Sequence, residues 1–357
     1  MRGTLTALHL LCALILQFGG ATSSATAATA VNDRTHSQPP LVLARQGSFF
    51  VNAKTTFTAF ASGVKNPVAG HISTRGMYVQ YQIPQDMNTR AYPVIMVHGS
   101  GHTGKTFEET PDGRMGWAEY MVRHGIPVYV VDHAGRARSG FDPSPSNQAK
   151  LENNPKLIPS FYRLSNEHAW IAFRFGPKPF IPYKNSRFPI TAQDEYFAQM
   201  VPNTESSYVE GGQSTIDALT LLLERIGPAV ILVHSQSGAY GIAAAIARPS
   251  LVKAIVSIEP RSCAVSDATM QSVFAHIPFL TLFGDFFGAD RDADWPVCMA
   301  ECVKTVSRIE SAGGMAENIY LPDVGIRGNS HMLMMDLNNL QIADIIMSWI
   351  ARRAPKR

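Results

Sequence analysis

The chain has 357 residues, 45% of them hydrophobic, and a formal net charge of only +3. It is long enough to bury a large core, as one large α/β domain or two smaller ones. So weak a positive balance, with no basic run beyond Arg352-Arg353 and Lys356-Arg357, argues against a dedicated nucleic-acid partner.

At the N-terminus, Arg2 precedes an apolar run from Leu8 to Phe18, and the small-residue triplets Ala25-Thr-Ala27 and Ala28-Thr-Ala30 follow. This is the layout of a secretory signal peptide, with an apolar part too short to span a bilayer comfortably. Residues 1–30 are therefore set apart from the fold. The expected localisation is secreted or periplasmic, with no membrane association once the signal is removed. Removing Cys12 leaves Cys263, Cys298 and Cys302. An oxidising compartment favours one disulfide and leaves one thiol over. Cys298 and Cys302 lie four apart on what reads as one helix and are poorly placed to bond each other; Cys263 with Cys302 is the expected pair, with Cys263–Cys298 left open as the alternative. No histidine stands at ligand spacing from these cysteines, so no zinc site and no other metal is expected.

Residues 31–70 are rich in turn formers, with one strand-like run, Ser48–Val51. Met77–Ile83 then alternates apolar and polar, as an antiparallel edge hairpin should. Beyond it the pattern changes. Val94–Val97, Val128–Val131, Val230–Val233, Ala254–Ile258 and Phe279–Phe283 are short continuous apolar runs, suited to strands buried on both faces of a parallel sheet. Helical patterns such as Ile216–Ile226 lie between several of them. The alternation predicts an α/β fold, a mostly parallel central sheet covered by helices on both faces. At the end, Ile342, Ile345, Ile346, Trp349 and Ile350 fall at helical spacing and should pack on that sheet.

Residues 141–205 break the rhythm. They are proline-rich and aromatic, with Phe161, Tyr162, Trp170, Phe173, Phe175, Phe180, Tyr183, Phe188, Tyr196 and Phe197. We expect an inserted cap over the C-terminal edge of the sheet, between core segments 31–140 and 206–357. Its aromatics equally suit a small core of the segment's own.

The loop His98-Gly-Ser-Gly-His-Thr-Gly-Lys-Thr106 fits three patterns. Gly99, Gly101 and Gly104 match a dinucleotide fingerprint, and Gly99 to Lys105-Thr106 match a phosphate-binding loop. A phosphate loop needs a helix beginning at Lys105-Thr106, and Pro111-Asp-Gly113 cuts such a helix short. We therefore expect no nucleotide and no other cofactor. The favoured reading is a loop that lends a backbone N–H to an oxyanion hole.

The opposite half of such a site is Val233-His-Ser-Gln-Ser-Gly238. A buried apolar run precedes it and the small-residue run Gly238–Ala247 follows, which predicts strand, tight turn and helix. This is the logic of a nucleophile elbow, although Val233 and Ser237 replace its flanking glycines. Ser235 is favoured over Ser237, because Gly238 then falls where the helix must approach the strand closely. An elbow serine needs a histidine and a carboxylate, in the chain order serine, acid, histidine. His331, in Gly328-Asn-Ser-His331, follows the strand-like Asn318–Leu321. The other histidine after the elbow, His276, precedes a strand and so lies at the wrong edge. Glu259 and Asp285 both end strands at the right edge and remain alternatives. The usual position of the acid in this architecture favours Asp285.

Ser235-Gln-Ser-Gly238, Ser257-Ile-Glu-Pro260, Gly328-Asn-Ser-His331, Thr110-Pro-Asp-Gly-Arg-Met-Gly-Trp117, His168-Ala-Trp170 and Phe173-Arg-Phe-Gly176 occur here in one order. Together they resemble the bacterial-type esterase branch of the α/β-hydrolases, with its H-S-Q-S-G elbow and glutamate acid. The resemblance runs from about residue 45 to the end. It implies Ser235 as nucleophile, Glu259 as acid and His331 as base, with the amides of Ser100 and Gln236 as oxyanion donors. In the oxyanion loop Ser100-Gly101 replaces bulkier residues, a departure that bears on substrate preference more than on chemistry. The implied activity is hydrolysis of small-molecule carboxylic esters through an acyl-enzyme. Lactone, amide or polyester cleavage by the same fold, and a non-catalytic secreted binding protein, are the alternatives. A homodimer is compatible with the sequence and not fixed by it.

Overall fold

The computed structural model describes residues 38–60, 68–207, 212–287 and 294–356. The expected signal segment lies outside them. The central sheet has eight strands in the order β1-β4-β6-β5-β7-β8-β9-β10. These are β1 Leu43–Val51, β4 Met77–Pro84, β6 Val128–Asp132, β5 Val94–Val97, β7 Ala229–His234, β8 Val252–Ile258, β9 Phe279–Phe283 and β10 Ala316–Tyr320. Strand β4 pairs antiparallel with both β1 and β6. From β6 to β10 every pairing is parallel.

The five apolar runs are strands β5 to β9, and the reason is visible in their neighbours. Successive side chains of a strand point to opposite faces, and here both faces are covered. Val94, Met96, Val230, Leu232, Val256 and Leu282 face Trp117, Met121, Ile346 and Trp349. Ile95, Val97, Ile231, Val233 and Ile255 face Leu219, Leu222, Ile242 and Val306. Each such side chain contributes roughly 1.5–3 kcal/mol on burial; the one polar residue inside β9, Thr281, is bonded to Asn318 Oδ1 at 2.7 Å.

The helices are α1 Lys105–Glu108, α2 Trp117–Arg123, α3 Ser144–Leu151, α4 Asn166–Ala172, α5 Gln193–Ala198, α6 Gln213–Ile226, α7 Gly238–Ala247, α8 Asp267–Thr269, α9 Trp295–Ser311 and α10 Asn339–Arg353. Helix α10 buries Ile342, Ile346, Trp349 and Ile350 against the sheet, as the spacing predicts.

The alternating strand β4 pairs antiparallel with β1 at the edge of the sheet, as expected, with Phe49 opposite Val79 and Val51 opposite Met77. One expectation is corrected. The turn-rich stretch after β1 also holds β2 Lys54–Thr58 and β3 Gly70–Thr74, which form a separate two-stranded antiparallel sheet. The expected Cys263–Cys302 disulfide is present, with a Cα–Cα separation of 5.0 Å, and it ties the loop after β8 to α9. Cys298 is a free, buried thiol on α9, bonded at 2.9 Å by Arg261 Nη1.

Candidate active site

Strand β7 ends at His234, and Ser235 begins a single 3₁₀ turn, Ser235–Ser237, that leads into α7. Ser235 has φ 54°, a left-handed conformation uncommon outside glycine. Such strain persists where the surroundings over-determine it and tends to gather at functional sites. The Arg261 N–H donates to the Ser235 carbonyl at 3.0 Å. Gly238 is needed, though not for the reason its position suggested. A methyl there would lie 2.9 Å from Pro260 Cβ; it is Gly241 whose methyl would meet Val233 of β7, also at 2.9 Å.

One strand further along, Glu259 follows β8 in a second left-handed conformation, φ 48°. Its side chain is fully buried. Oε2 lies 3.2 Å from His331 Nδ1. Oε1 accepts from Arg174 Nη2 at 2.6 Å and from the Gly284 N–H. Asp285, the competing carboxylate, is engaged elsewhere: Oδ1 accepts from the Phe286 N–H at 2.7 Å and Oδ2 from the Gly328 N–H at 2.9 Å.

His331 is buried with its ring stacked on Phe173, 5.4 Å between centroids and 8° between planes, and Trp295 and His234 close around it. Its Nε2 is buried and has no hydrogen-bond partner among the described residues. A polar atom left so costs about 1–3 kcal/mol, which a folded protein tolerates where the atom has work to do. Burial pushes the imidazole well below its ordinary 6.5, and Arg174 adds to the effect. The ring is therefore neutral at pH 7. With Nδ1–H turned to Glu259, the free lone pair sits on Nε2.

The loop that carries His331 is held from several sides. Its N–H donates to the Phe173 carbonyl at 2.9 Å, and His234 Nε2 donates to its carbonyl at 3.1 Å. Asp336 accepts from the Ser330 N–H, the Ser330 hydroxyl and Asn329 Nδ2 at 2.7–2.9 Å. Arg114 donates to the Met335 and Asp336 carbonyls, and Trp117 Nε1 to that of Asn339. The motif Thr110 to Trp117 thus serves as a clamp on the histidine loop.

The second loop, His98–Gly104, leaves β5 and packs against the elbow. A methyl at Gly99 would lie 2.8 Å from Ser235 Cβ and from His234 Nδ1, so only glycine fits. The Gly101 amide donates to Asn203 Oδ1 at 2.8 Å and the Gly104 amide to Asp132 Oδ1 at 2.6 Å. Lys105 bonds the Glu109 carbonyl and helix α1 spans four residues. Engaged amides and so short a helix are not a cradle for phosphate.

Ser237, the other candidate in the elbow, is fully buried. Its hydroxyl donates to the His98 carbonyl at 2.5 Å and accepts from His133 Nε2 at 2.8 Å. This network places the proton on His133 Nε2, so the pair has no base directed at the serine.

Residues that carried no role in the sequence are prominent here. Arg174, from the aromatic segment, is buried beside Glu259, over the rings of Phe287 and Trp295. Arg136 is buried against Glu205. The aromatic segment itself buries Trp170, Phe173, Phe175, Phe188 and Tyr196, while Phe161, Tyr162 and Phe180 stay exposed. Tyr196 OH reaches His102 Nε2 at 2.8 Å, and His102 Nδ1 donates to the Ser100 carbonyl at 2.7 Å.

A parallel sheet flanked by helices, with a serine on the strained turn after a central strand, defines an α/β-hydrolase. A solved bacterial esterase, described as novel and determined at atomic resolution, is 39% identical with a TM-score of 0.83; the match covers 89% of this chain and 98% of that one. The chain belongs to the family of that bacterial esterase. The probable secreted lipase phiG of Fungal sp. (strain ATCC 74256) is 27% identical over 335 residues, 80% of this chain and 88% of that protein. No family model matches the chain.

Proposed function

We propose that the protein is a secreted carboxylic ester hydrolase that uses a Ser235–His331–Glu259 triad. The observation that carries this reading is the state of His331, with Nδ1 3.2 Å from Glu259 and Nε2 buried without a partner. The ring of His234, the residue before Ser235, lies 4.6 Å away between centroids. Secretion is supported by the signal-like N-terminus, by the Cys263–Cys302 disulfide and by the name of the fungal relative.

In the reaction, Ser235 Oγ attacks the ester carbonyl carbon while His331 Nε2 takes the hydroxyl proton. Glu259 holds the imidazole in the tautomer with Nδ1 protonated and stabilises the imidazolium that forms. The amides of Ser100 and Gln236 hold the developing oxyanion, each contributing roughly 3–4 kcal/mol. The imidazolium then protonates the departing alcohol, leaving an acyl-enzyme on Ser235. Water repeats the sequence and frees the acid. Residues 141–205 act as a cap whose Phe173 fixes the His331 ring.

Two measurements on the mature protein test the reading. The wild type should hydrolyse p-nitrophenyl esters and be labelled by a fluorophosphonate; Ser235→Ala should do neither. Labelling that survives in Ser235→Ala would move the nucleophile elsewhere, and a wild type that is never labelled would favour a binding protein.

A further inference from the structure

Arg136 follows β6 and is fully buried, and its guanidinium bonds groups far away in sequence. Its Nη1 donates to the Gly99 carbonyl at 2.9 Å. Its Nη2 donates to Gln236 Oε1 at 3.3 Å. Nε and Nη2 also form a two-pronged ion pair with Glu205. One guanidinium therefore touches both halves of the proposed oxyanion hole, the loop after β5 and the turn after β7.

We infer that Arg136 is a positioning residue for the oxyanion hole: it orients and polarises the Gly99–Ser100 peptide and ties it to Gln236. The inference rests on the reading of the Ser100 and Gln236 amides as oxyanion donors. The Gly99 carbonyl and the Ser100 N–H belong to one peptide unit. Hydrogen bonds accepted at its oxygen make its N–H a stronger donor, because linked hydrogen bonds polarise one another in a low-dielectric interior. That oxygen accepts twice. The His133 N–H donates to His98 Nε2 at 3.1 Å, which leaves the proton on His98 Nδ1, and Nδ1 donates to the Gly99 carbonyl at 2.9 Å.

The other contacts fit the same purpose. Glu205 offsets the buried guanidinium charge, and without such a partner the desolvation cost would be several kcal/mol. Gln236 Nε2 donates to Tyr240 OH at 3.1 Å and to Glu205 Oε1 at 3.4 Å, so its side chain is held at both ends. Asn203, close in sequence to Glu205, grips the loop from the far side, accepting from the Gly101 N–H and donating to the Ser100 hydroxyl at 2.6 Å. A planar fork serves these diverging acceptors; a lysine ammonium cannot reach them together.

The experiment compares wild type, Arg136→Lys and the double variant Arg136→Met/Glu205→Met, which removes the ion pair without stranding either charge. Active sites are counted by fluorophosphonate titration, so that rates refer to folded enzyme. Per titrated site, both variants should lose roughly 10- to 100-fold in kcat with KM within about threefold, less than the loss of a direct donor. Affinity for a trifluoromethyl ketone, whose adduct with Ser235 carries an oxyanion, should fall in proportion to kcat/KM. Wild-type kcat per site in either variant, or ketone affinity that does not follow kcat/KM, overturns the inference. A wild type that the ketone fails to inhibit overturns the oxyanion-hole reading itself, and the two failures are thereby distinct.

Discussion

Arg174 Nη2 lies 2.6 Å from Glu259 Oε1, and neither side chain reaches solvent. The arginine comes from the aromatic segment and the glutamate from the end of β8, so the candidate acid is held by chain on both sides of the site. Breaking a buried pair on one side costs about 3–5 kcal/mol, because the remaining charge stays buried. Arg174→Met should therefore lower the unfolding midpoint markedly. It should also change the pH profile. His331 sits well below 6.5, first through burial and then through Arg174. In the proposed triad the base is active when neutral, so the acid limb of kcat/KM should fall below pH 6.5 in the wild type. In Arg174→Met it should move up. An acid limb that stays in place would show that Arg174 does not act on the histidine.

The identity of the acid has its own test. In Glu259→Gln the oxygen at the Oε1 position is retained by two donors, Arg174 Nη2 and the Gly284 N–H. The amide nitrogen must then face His331 Nδ1 and donate to it. That drives the imidazole proton to Nε2 and removes the base. Turnover should fall about 10⁴-fold with the fold intact, the size of loss known for wrong-tautomer triads. Asp285→Asn instead disturbs acceptors for the Phe286 and Gly328 amides. It should cost about 1–3 kcal/mol of stability and little turnover. The reverse result, measured by kcat and urea unfolding, would make Asp285 the acid.

Ser237 offers a parallel comparison. Its hydroxyl bridges the His98 carbonyl and His133 Nε2, so Ser237→Ala leaves two buried polar atoms unpaired and should cost about 1–3 kcal/mol. Fluorophosphonate labelling at Ser235 should remain, and kcat should stay within tenfold of wild type. Loss of labelling in Ser237→Ala, with retention in Ser235→Ala, would shift the nucleophile by two residues.

These contrasts show what could be read from the chain. Strands β5 to β9 were legible because burial on both faces demands unbroken apolar runs. Strands β2 and β3 were not: Lys54–Thr58 and Gly70–Thr74 are mostly exposed or half-exposed, and nothing in so short a pattern announces their pairing. Ser235 and His331 stood out because strand-turn-helix and turn-rich loops have local signatures. Glu259 and Asp285 did not separate by position, since both end neighbouring strands. What divides them is where the loop from Gly328 to His331 runs, and that is set at long range by Phe173 and Arg114. Arg136 left no trace and Arg174, though part of the Phe173-Arg-Phe-Gly176 motif, carried no role, because a buried cation is recognised by its partner, and Glu205 and Glu259 lie far away in sequence.

Asp336 is the buried carboxylate that holds the histidine loop, and it makes the stability of that loop depend on pH. Burial raises it from 3.8 to about 6, against bonds from Ser330 and Asn329 that lower it. The folded protein thus binds this proton more tightly than the unfolded chain. The contribution of Asp336 to stability is whole below pH 3.8 and is lost as pH climbs through about 6. The loss amounts to roughly 3 kcal/mol. Asp336→Asn stays neutral throughout and escapes it. The difference in unfolding free energy between Asp336→Asn and wild type should therefore shift in favour of the variant by that amount from pH 4 to pH 8. The buried histidines are common to both proteins and cancel in the comparison. A difference that does not vary with pH would mean that the carboxylate is as well accommodated by its three donors as by water.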